Sequence, residues 1–379
     1  MVKQNPTANI CKFFSELQDP RMDRQKRHLL HDILVMAICG VICGAEDWVA
    51  IEEFAKAKVD WFKTFLALPN GIPSHDTFGR VFSALGSKAF SKCFAMWVQA
   101  VAEATDGDVV AIDGNTIRRS FDRASGRGAI HMVSAWSHAN GLVLGQVKTA
   151  EKSNEITAIP RLLDILDVTG CLVTIDAMGC QKTIAAKIVD KDADYLLAVK
   201  DNQEKLHRDV VSHFAQIKCT SDAPRDSAFE YFEESGKGHG REERRQVWST
   251  NDTSGLSTLE EWKGLNSIAM VVASRTINGN AETERRYYIS SLPGDDAERI
   301  GKAVRAHWGI EDSVHWVLDV AFQEDNCRVR KDNAPQNFAT VRHIALNLAK
   351  NERTAKVGVK NKRLLAGWKE SYLLKILGF

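Results

Sequence analysis

The sequence contains two short apolar runs that each end in an aspartate: Val109-Val110-Ala111-Ile112-Asp113 and Leu172-Val173-Thr174-Ile175-Asp176. Runs of four or five mostly β-branched residues are typical of strands that are buried on both faces of a sheet. A carboxylate at the end of such a strand loses hydration beside the apolar core, which is costly unless a partner offsets its charge. Two strands that bring aspartates to one sheet edge therefore suggest a cation, as in metal sites for phosphodiester chemistry.

The composition is that of a globular protein without disordered tracts. The chain has 379 residues, of which 44% are hydrophobic and 26% are charged, so we expect two or three domains. Its longest apolar stretch, residues 33–45, is too short to span a bilayer and predicts a buried helix. The first residues lack the pattern of a secretion signal, so we expect a cytoplasmic protein with no membrane partner.

Positive charge is concentrated at the C-terminal end, although the whole chain carries a net charge of only +1. From Arg328 onward there are twelve basic residues and three acidic ones. A cationic segment on a nearly neutral chain indicates a binding surface for a polyanion such as DNA. The alternative is an ordinary solvated face of amphipathic helices.

The hydrophobic pattern changes along the chain and divides it into segments. Residues 1–104 have apolar residues at helical spacing and predict a helical N-terminal domain. The next segment predicts three antiparallel strands, with Asn140-Gly141 as a hairpin turn, and then alternating helices and strands. That order, β-β-β-α-β-α-β-α, indicates an α/β fold with a mixed sheet and helices on its faces, not a dinucleotide-binding fold. The predicted segments are 1–104 (helical domain), 105–224 (α/β core, first part), 225–292 (β-rich insertion), 293–345 (core, last part) and 346–379 (basic tail).

Metal-assisted attack on a phosphodiester uses two divalent ions about 4 Å apart. Mg²⁺ prefers oxygen ligands and keeps several waters, so Asp113, Asp176 and one further acid can suffice. We expect the third acid on a helix that packs beside the strand ends. Glu311 is the first candidate, because it follows an apolar residue and lies three residues after Trp308. The rival candidates are Asp319, Glu324 and Asp325, further along the same segment.

The first aspartate belongs to the segment Ala111-Ile112-Asp113-Gly114-Asn115-Thr116-Ile117-Arg118-Arg119-Ser120. Other distinctive segments are Gly71-Ile72-Pro73-Ser74-His75-Asp76-Thr77-Phe78, Glu151-Lys152-Ser153-Asn154-Glu155-Ile156, Thr174-Ile175-Asp176-Ala177-Met178-Gly179-Cys180-Gln181, His307-Trp308-Gly309-Ile310-Glu311 and Leu318-Asp319-Val320. Together they resemble the motifs of bacterial insertion-sequence transposases of the DDE class. More narrowly, they resemble the group that includes the H-repeat-associated proteins of Rhs elements, over nearly the whole chain.

The resemblance implies a ribonuclease-H-like core that is interrupted by the β-rich insertion before the last acid. It implies Asp113, Asp176 and Glu311 as the catalytic triad that binds Mg²⁺, with Mn²⁺ as a substitute. The implied function is that of a DNA transposase, with metal-dependent cleavage at the element ends and strand transfer of the 3′-hydroxyl into target DNA. The implied partners are double-stranded DNA, as terminal inverted repeats and target, and a second copy of the chain on that DNA, at the bacterial nucleoid.

The wider superfamily carries a Tyr, Arg, Glu, Lys signature around the last acid, and this chain departs from it. The corresponding positions hold Val304, His307, Glu311 and Leu318, so only the glutamate matches. The contacts that the other three residues make with DNA ends therefore cannot be transferred to this chain.

Several other residues are candidates for binding DNA. Arg118 and Arg119 follow the first acid and could neutralise phosphates near the metals. His307 could contact a phosphate or the metal shell, or could simply orient the third acid. Lys152 and Glu155 match a family motif, although they could also be a helix cap and a surface charge. The remaining candidates are Arg241, in a strand of alternating charge, and Arg328, Arg330 and Lys331, at the start of the basic segment.

Three other functions remain open on this basis. A catalytically retired transposase relative would bind DNA without cutting it. A ribonuclease-H-like nuclease would cut DNA without joining a 3′-end to a target. A nucleotide-binding α/β enzyme is disfavoured, because no glycine-rich phosphate loop follows any predicted strand.

Overall fold

The N-terminal part of the chain is helical, as its apolar spacing predicts. The structure is a computed structural model that describes residues 10–15, 17–102, 107–121, 126, 128–149, 155–215, 228–238, 241–277 and 280–378. Asp47 caps one helix by accepting a hydrogen bond from the N–H of Ala50 at 2.8 Å. The helices of this part are α1 (Ile10–Phe14), α2 (Leu30–Ile42), α3 (Trp48–Ala57), α4 (Val59–Phe62), α5 (His75–Ala84) and α6 (Ser87–Val101).

A mixed sheet, nine-stranded within the described residues, lies at the centre of the molecule. Its first strands are β1 (Val109–Ile117), β2 (Ile130–Ser137), β3 (Leu142–Lys148), β4 (Leu172–Ile175) and β5 (Asp194–Val199), in the spatial order β3-β2-β1-β4-β5. The β1–β2 and β2–β3 pairs are antiparallel, whereas β1–β4 and β4–β5 are parallel. Gly141, with φ of +65°, lies in the predicted turn between β2 and β3. The predicted mixed sheet is confirmed.

The β-rich segment extends this sheet instead of forming a separate one. β9 pairs antiparallel with β5, from Leu196 opposite Ser290 to Val199 opposite Tyr287. Without β9, the edge of β5 would expose a row of unpaired N–H and C=O groups. The strands are β6 (Glu230–Gly238), β7 (Arg241–Thr250), β8 (Ser267–Ile277) and β9 (Asn280–Ser290), in the spatial order β9-β8-β7-β6.

Helices cover both faces of the sheet. Successive residues of a strand point to opposite faces. Accordingly, Val173 and Ile175 of β4 pack in one apolar cluster with α7 and α8, and Leu172 packs in another cluster with α10. The helices of these layers are α7 (Glu155–Ile165), α8 (Lys182–Val189), α9 (Glu204–His213) and α10 (Ala297–His307).

The C-terminal helices share an apolar core with the N-terminal ones. A π-helical turn, Glu311–His315, follows α10 and leads directly into α11 (Trp316–Phe322). The long helix α12 (Ala334–Asn351) is buried along most of its length and packs against α2. It is followed by α13 (Val359–Trp368) and α14 (Glu370–Leu377). Within the described ranges, no helix is both long and apolar enough to cross a membrane.

Two cations of the predicted basic tail are buried. Lys362 Nζ donates a hydrogen bond to the carbonyl of Ala349 at 2.9 Å, and Arg363 Nη2 donates to the carbonyl of Val41 at 2.9 Å. The Arg363 guanidinium also lies 4.1 Å from the centre of the Phe322 ring. These two cations therefore stabilise helix packing and do not face a polyanion. The exposed cations of the segment are Arg353, Lys356, Lys360, Lys369 and Lys375.

Candidate metal centre

Asp113 and Asp176 lie beside each other at the point where the parallel pairing of β1 with β4 ends: Asp113 is in the middle of β1, and Asp176 directly follows β4. β1 and β4 are paired with Ile112 opposite Ile175, so each aspartate occupies the position directly after a paired residue. Neighbouring strands are about 4.8 Å apart. The two aspartates that end the apolar runs therefore lie next to each other on neighbouring inner strands of the sheet.

Both aspartates are held by backbone N–H groups and are half-buried. Asp113 Oδ1 accepts a hydrogen bond from the N–H of Gly114 at 2.8 Å. Asp176 Oδ1 accepts from the N–H groups of Met178 at 3.0 Å and Gly179 at 3.2 Å. Burial raises the pKa of Asp113 to about 6 and also raises the pKa of Asp176, and nearby carboxylates add to both shifts. The site thus concentrates negative charge that a cation would offset.

Glu311 approaches Asp113 from the helical side of the site. One oxygen of each carboxylate and one ring nitrogen of His315 lie within 4.8 Å of one another, a spacing that allows a shared metal ion. His315 Nδ1 is 3.0 Å from Glu311 Oε2 and 3.6 Å from Asp113 Oδ2. Glu311 is exposed whereas His315 is buried, so the imidazole holds the carboxylate in the direction of Asp113.

His315 is a site residue that the sequence analysis missed. It lies four residues after Glu311, and that spacing places two side chains on one face of a helix. This spacing was the available signal. The two residues begin and end the π-helical turn, a widened form of helix that is frequent at functional sites.

A buried group of charged and polar side chains lies behind His315. Glu324 and Arg342 form an ion pair in the interior, with Nη1 at 3.6 Å from Oε1. Burial raises the pKa of Glu324, and the charges of Arg342 and His315 oppose this shift. Burial also lowers the pKa of the neighbouring His343 to about 3. Each of the four side chains has a polar atom without a hydrogen-bond partner among the described residues. The imidazole beside Glu311 is therefore backed by a buried charge pair.

The rival third acids have other surroundings. Glu324 is buried against Arg342, Asp325 Oδ2 is 3.1 Å from Arg118 Nε, and Asp319 is exposed. In the part of the chain that the structure describes, none of the three joins the group of possible metal ligands. The geometry therefore favours Glu311 among the predicted acids.

A cationic surface lies beyond the end of β1 and contains most of the predicted DNA-binding residues. Arg118 and Arg119 form a 3₁₀ turn after β1, and Arg330 Nε donates a hydrogen bond to the carbonyl of Arg119 at 3.0 Å. The Arg330 guanidinium lies 4.6 Å from the centre of the Phe121 ring. The side chain of Arg118 is 80% exposed despite its ion pair with Asp325. The cationic surface comprises Arg118, Arg119, Arg328, Arg330 and Lys331.

His307 is turned toward the sheet and is not beside the third acid. Its Nδ1 atom is 3.0 Å from the hydroxyl of Thr174 on β4. Burial lowers the pKa of His307 to about 4, so the ring is neutral at physiological pH. Together with Trp308 it lines a pocket of about 390 Å³ that also reaches Asp176. The histidine that contacts the third acid is His315.

The remaining predicted residues are Lys152, Glu155 and Arg241. Lys152 belongs to residues 150–154, which are outside the described residues. Its motif partner Glu155 is described and lies in the first turn of α7. Arg241 begins β7 and pairs in register with Gly238, in the extension of the sheet.

A groove of about 1580 Å³ runs from the extension of the sheet to Glu311. Arginines on its walls are paired with glutamates: Arg286 lies 2.7 Å from Glu284, and Arg245 lies 2.9 Å from Glu243. Because these charges are matched, the groove is not a uniformly cationic track. The cationic surface beyond β1 is the better candidate for phosphate contacts.

Comparison with known proteins gives family matches over most of the chain. The family model described as "Transposase DDE domain" matches residues 104–348, and the one described as "DDE_Tnp_1-associated" matches residues 11–98. The first match includes both aspartates and Glu311.

Two relatives from Escherichia coli match nearly the whole chain, and a third matches one fifth of it. YncI of strain O157:H7, which bears the name of a candidate transposase, is 45% identical over 97% of this chain and 94% of its own length. YhhI of strain K12, named as an H repeat-associated candidate transposase, is 41% identical over 97% of each chain. The shorter YbfQ of strain K12, named an inactive transposase, is 50% identical over 20% of this chain and 88% of its own length. The chain therefore belongs to the family of transposases with a DDE domain.

Proposed function

We propose that this transposase is an active enzyme that cuts DNA at the ends of its element and transfers the freed 3′-hydroxyl into target DNA. One observation carries the proposal: Asp113 lies beside Asp176 on a neighbouring strand and shares a possible ligand group with Glu311. In this proposal the three carboxylates are the catalytic residues, and they bind two Mg²⁺ ions, for which Mn²⁺ can substitute.

The donor set fits these ions. Carboxylate oxygens are the ligands that Mg²⁺ and Mn²⁺ prefer, and the half-buried Asp113 has a raised pKa that a bound cation would lower. Bound divalent ions activate a water or hydroxyl nucleophile and stabilise charge on the leaving oxygen. The chain's own contribution is positioning. Backbone N–H groups hold the aspartates, and His315 holds Glu311.

The order of the strands supports a ribonuclease-H-like core. Three antiparallel strands, β1 to β3, are followed by β4 and β5 parallel to β1, in the order β3-β2-β1-β4-β5. In this interpretation, residues 105–224 and 293–345 form the catalytic core. The helical domain is 1–104, the insertion is 225–292 and the basic segment is 346–379.

The proposed partner is double-stranded DNA, both as terminal inverted repeats and as target. The cationic surface lies directly after β1, the strand that carries Asp113. Arginines and lysines in such a place neutralise backbone phosphates and position the duplex without reading its sequence. Because two element ends must be cut in concert, we propose a homodimer on DNA, which would act at the nucleoid in the cytoplasm.

The chemistry is tested with DNA that carries the terminal repeats of the element. The wild type, Asp176→Asn and the control Asp164→Asn are compared for nicked and joined products with Mg²⁺. Asp164 is exposed and pairs with Lys187 at the far end of α7, about 13 Å along the helix from its first turn. We expect products from the wild type and the control and none above background from Asp176→Asn. Equal activity in all three would remove this aspartate from the mechanism.

Two other outcomes would favour the alternative functions. Salt-dependent DNA binding without cleavage in any divalent metal would indicate a catalytically retired relative, and one relative is itself named inactive. Cleavage without joined products would indicate a ribonuclease-H-like nuclease.

A further inference from the structure

Two tryptophans near the C-terminal end of the chain are unusually exposed, although this residue type is mostly buried on average. Trp316 in α11 is 60% exposed and Trp368 in α13 is 70% exposed, more than any other tryptophan of the chain. The proposed metal centre uses neither ring. Large apolar side chains that lie together on a surface mark an interaction site.

Trp316 belongs to a stripe of exposed side chains along the outer side of α11. Asp319 and Val320 follow it by three and four residues, so the three side chains share one face of the helix. We call these three residues the α11 stripe. The other side of α11 packs in the apolar core through Leu318 and Phe322. Asp319 and Val320 belong to a segment that the sequence analysis singled out, and the metal centre gives them no role.

Trp368 belongs to a similar stripe on α13. Lys360, Leu364 and Trp368 are exposed and recur every four residues, and we call them the α13 stripe. The helix α13 packs beside α11, and its Arg363 guanidinium lies 4.1 Å from the centre of the Phe322 ring. Since both helices bury their inner sides in the same apolar core, both stripes face away from that core.

The two stripes carry opposite charges. The α11 stripe contains Asp319, and the α13 stripe begins with Lys360. Within the part of the chain that the structure describes, neither side chain forms an ion pair. A carboxylate on the α11 stripe would repel DNA phosphates, so the two stripes together fit a protein partner better than a duplex.

We propose that the two stripes form an interface between two copies of this chain, with the α11 stripe of one copy packed against the α13 stripe of the other. Each copy carries both stripes, so a two-fold axis forms this contact twice. In each contact, Asp319 faces Lys360 of the partner subunit. The inference builds on the proposed homodimer, because it names the surface that holds it together, but the interface itself needs neither DNA nor metal.

The exposed area is large enough to anchor such a dimer. A buried tryptophan removes about 150–250 Å² from water, so the exposed parts of Trp316 and Trp368 offer about 200–300 Å² per copy. A stable interface buries about 1,200–2,000 Å² in total, of which the tryptophans of two copies would supply about a third. Val320 and Leu364 add apolar area beside them. Tryptophan is also enriched among the residues that dominate binding energy at interfaces.

Sedimentation equilibrium of the full chain, without DNA or added metal, measures this association directly. We expect the wild type to dimerise and Trp368→Ala to raise the dissociation constant of the dimer about 10-fold or more, because the ring is lost from both contacts. Leu364→Ala should weaken the dimer less. Its matched control is Leu29→Ala, since Leu364 is 43% exposed and Leu29 is 46% exposed. Leu29 lies about 18 Å along α2 from Val41, whose carbonyl contacts α13, so this control should dimerise like the wild type.

A charge swap tests which stripes face each other. Asp319→Lys brings two cations together in both contacts and should weaken the dimer about 10-fold. Adding Lys360→Asp restores opposite charges, so the dissociation constant of the double variant should return toward that of the wild type. Recovery would also show that the single variant folds. If the double variant dimerises no better than the single one, the pairing of the α11 stripe with the α13 stripe is wrong.

Two other results would overturn the proposal. The wild type could remain monomeric at every concentration measured, or Trp368→Ala could dimerise like the wild type. If Trp368→Ala leaves self-association unchanged but weakens duplex binding in fluorescence anisotropy, the α13 stripe contacts DNA instead of a second copy. None of these results depends on the metal centre, which the comparison of wild type with Asp176→Asn in DNA cleavage tests separately.

Discussion

The buried ion pair between Glu324 and Arg342, behind the proposed metal centre, should make the protein sensitive to the loss of either partner alone. The two side chains are 4% and 2% exposed, and Arg342 Nη1 lies 3.6 Å from Glu324 Oε1. The guanidinium also lies 4.3 Å from the centre of the Phe338 ring. Arg342→Met keeps an unbranched apolar stem in this space and removes the cation. The Glu324 carboxylate is then left buried without its partner.

The expected cost follows from this burial. Removing one partner of a buried ion pair costs about 3–5 kcal/mol, so Arg342→Met should lower the free energy of unfolding by that amount near neutral pH. Burial raises the pKa of Glu324 in the folded state, and loss of the opposing Arg342 charge raises it further. A raised folded pKa gives stability that is present below the unfolded value of about 4.3 and is lost as the pH rises through the folded value. The variant should therefore be less destabilised in mild acid than near neutral pH.

Urea denaturation followed by circular dichroism at about pH 5 and pH 7 measures both effects. The double variant Arg342→Met with Glu324→Gln removes both charges, so it should recover most of the stability that the single variant loses. The argument from burial fails if the single variant is as stable as the wild type near neutral pH. It also fails if the free energy of unfolding falls by the same amount at both pH values.

Three further predictions concern the site. Gly114→Ala should push apart the hydrogen-bonded pair of Glu155 and His131 and lower the free energy of unfolding in urea by about 1–3 kcal/mol, and unchanged stability would count against the steric argument. His315→Ala should release Glu311 and slow metal-dependent DNA cleavage about 10–100-fold. His315→Asn should retain more activity, because its amide can still donate a hydrogen bond to Glu311. Equal cleavage rates in the two variants would show that this hydrogen bond does not contribute to activity. Arg118→Ala should weaken the salt dependence of duplex binding, which fluorescence anisotropy measures as the slope of log affinity against log salt concentration. The slope should fall by about one unit. An unchanged slope would show that Arg118 does not contact DNA phosphates.

The strands that carry the aspartates could be predicted because their signal is local. A run of apolar, mostly β-branched residues specifies a buried strand without reference to the rest of the chain. The hairpin turn at Asn140-Gly141 is also local, since Gly141 adopts a positive φ. Once β1 and β4 are parallel neighbours, Asp113 and Asp176 follow their paired ends. The local pattern therefore predicts both strands and the place of each aspartate, whereas the pairing of β1 with β4 is what brings the two aspartates together.

The position of the β-rich segment could not be predicted in the same way. Alternation along β6 to β9 indicates which side chains face a core, but it does not say which strand the segment joins. The pairing of β9 with β5 joins residues far apart in the chain, such as Ser290 and Leu196. Burial of Lys362 and Arg363 is equally non-local, because the carbonyl groups that accept their hydrogen bonds belong to other helices. The density of basic residues in the sequence alone would place these two cations on the surface.

The choice between two histidines shows where helical spacing stops being informative. His307 lies four residues before Glu311 and His315 lies four residues after it, and on a regular helix either ring could contact the carboxylate. The π-helical turn begins at Glu311, so the segments before and after it do not share one regular face. His307 consequently meets Thr174 on β4, while His315 meets Glu311. His307 stands where the wider superfamily has arginine, and a buried neutral ring cannot supply that charge. We therefore expect the cationic surface beyond β1 to provide the positive charge that DNA meets beside the proposed metal centre.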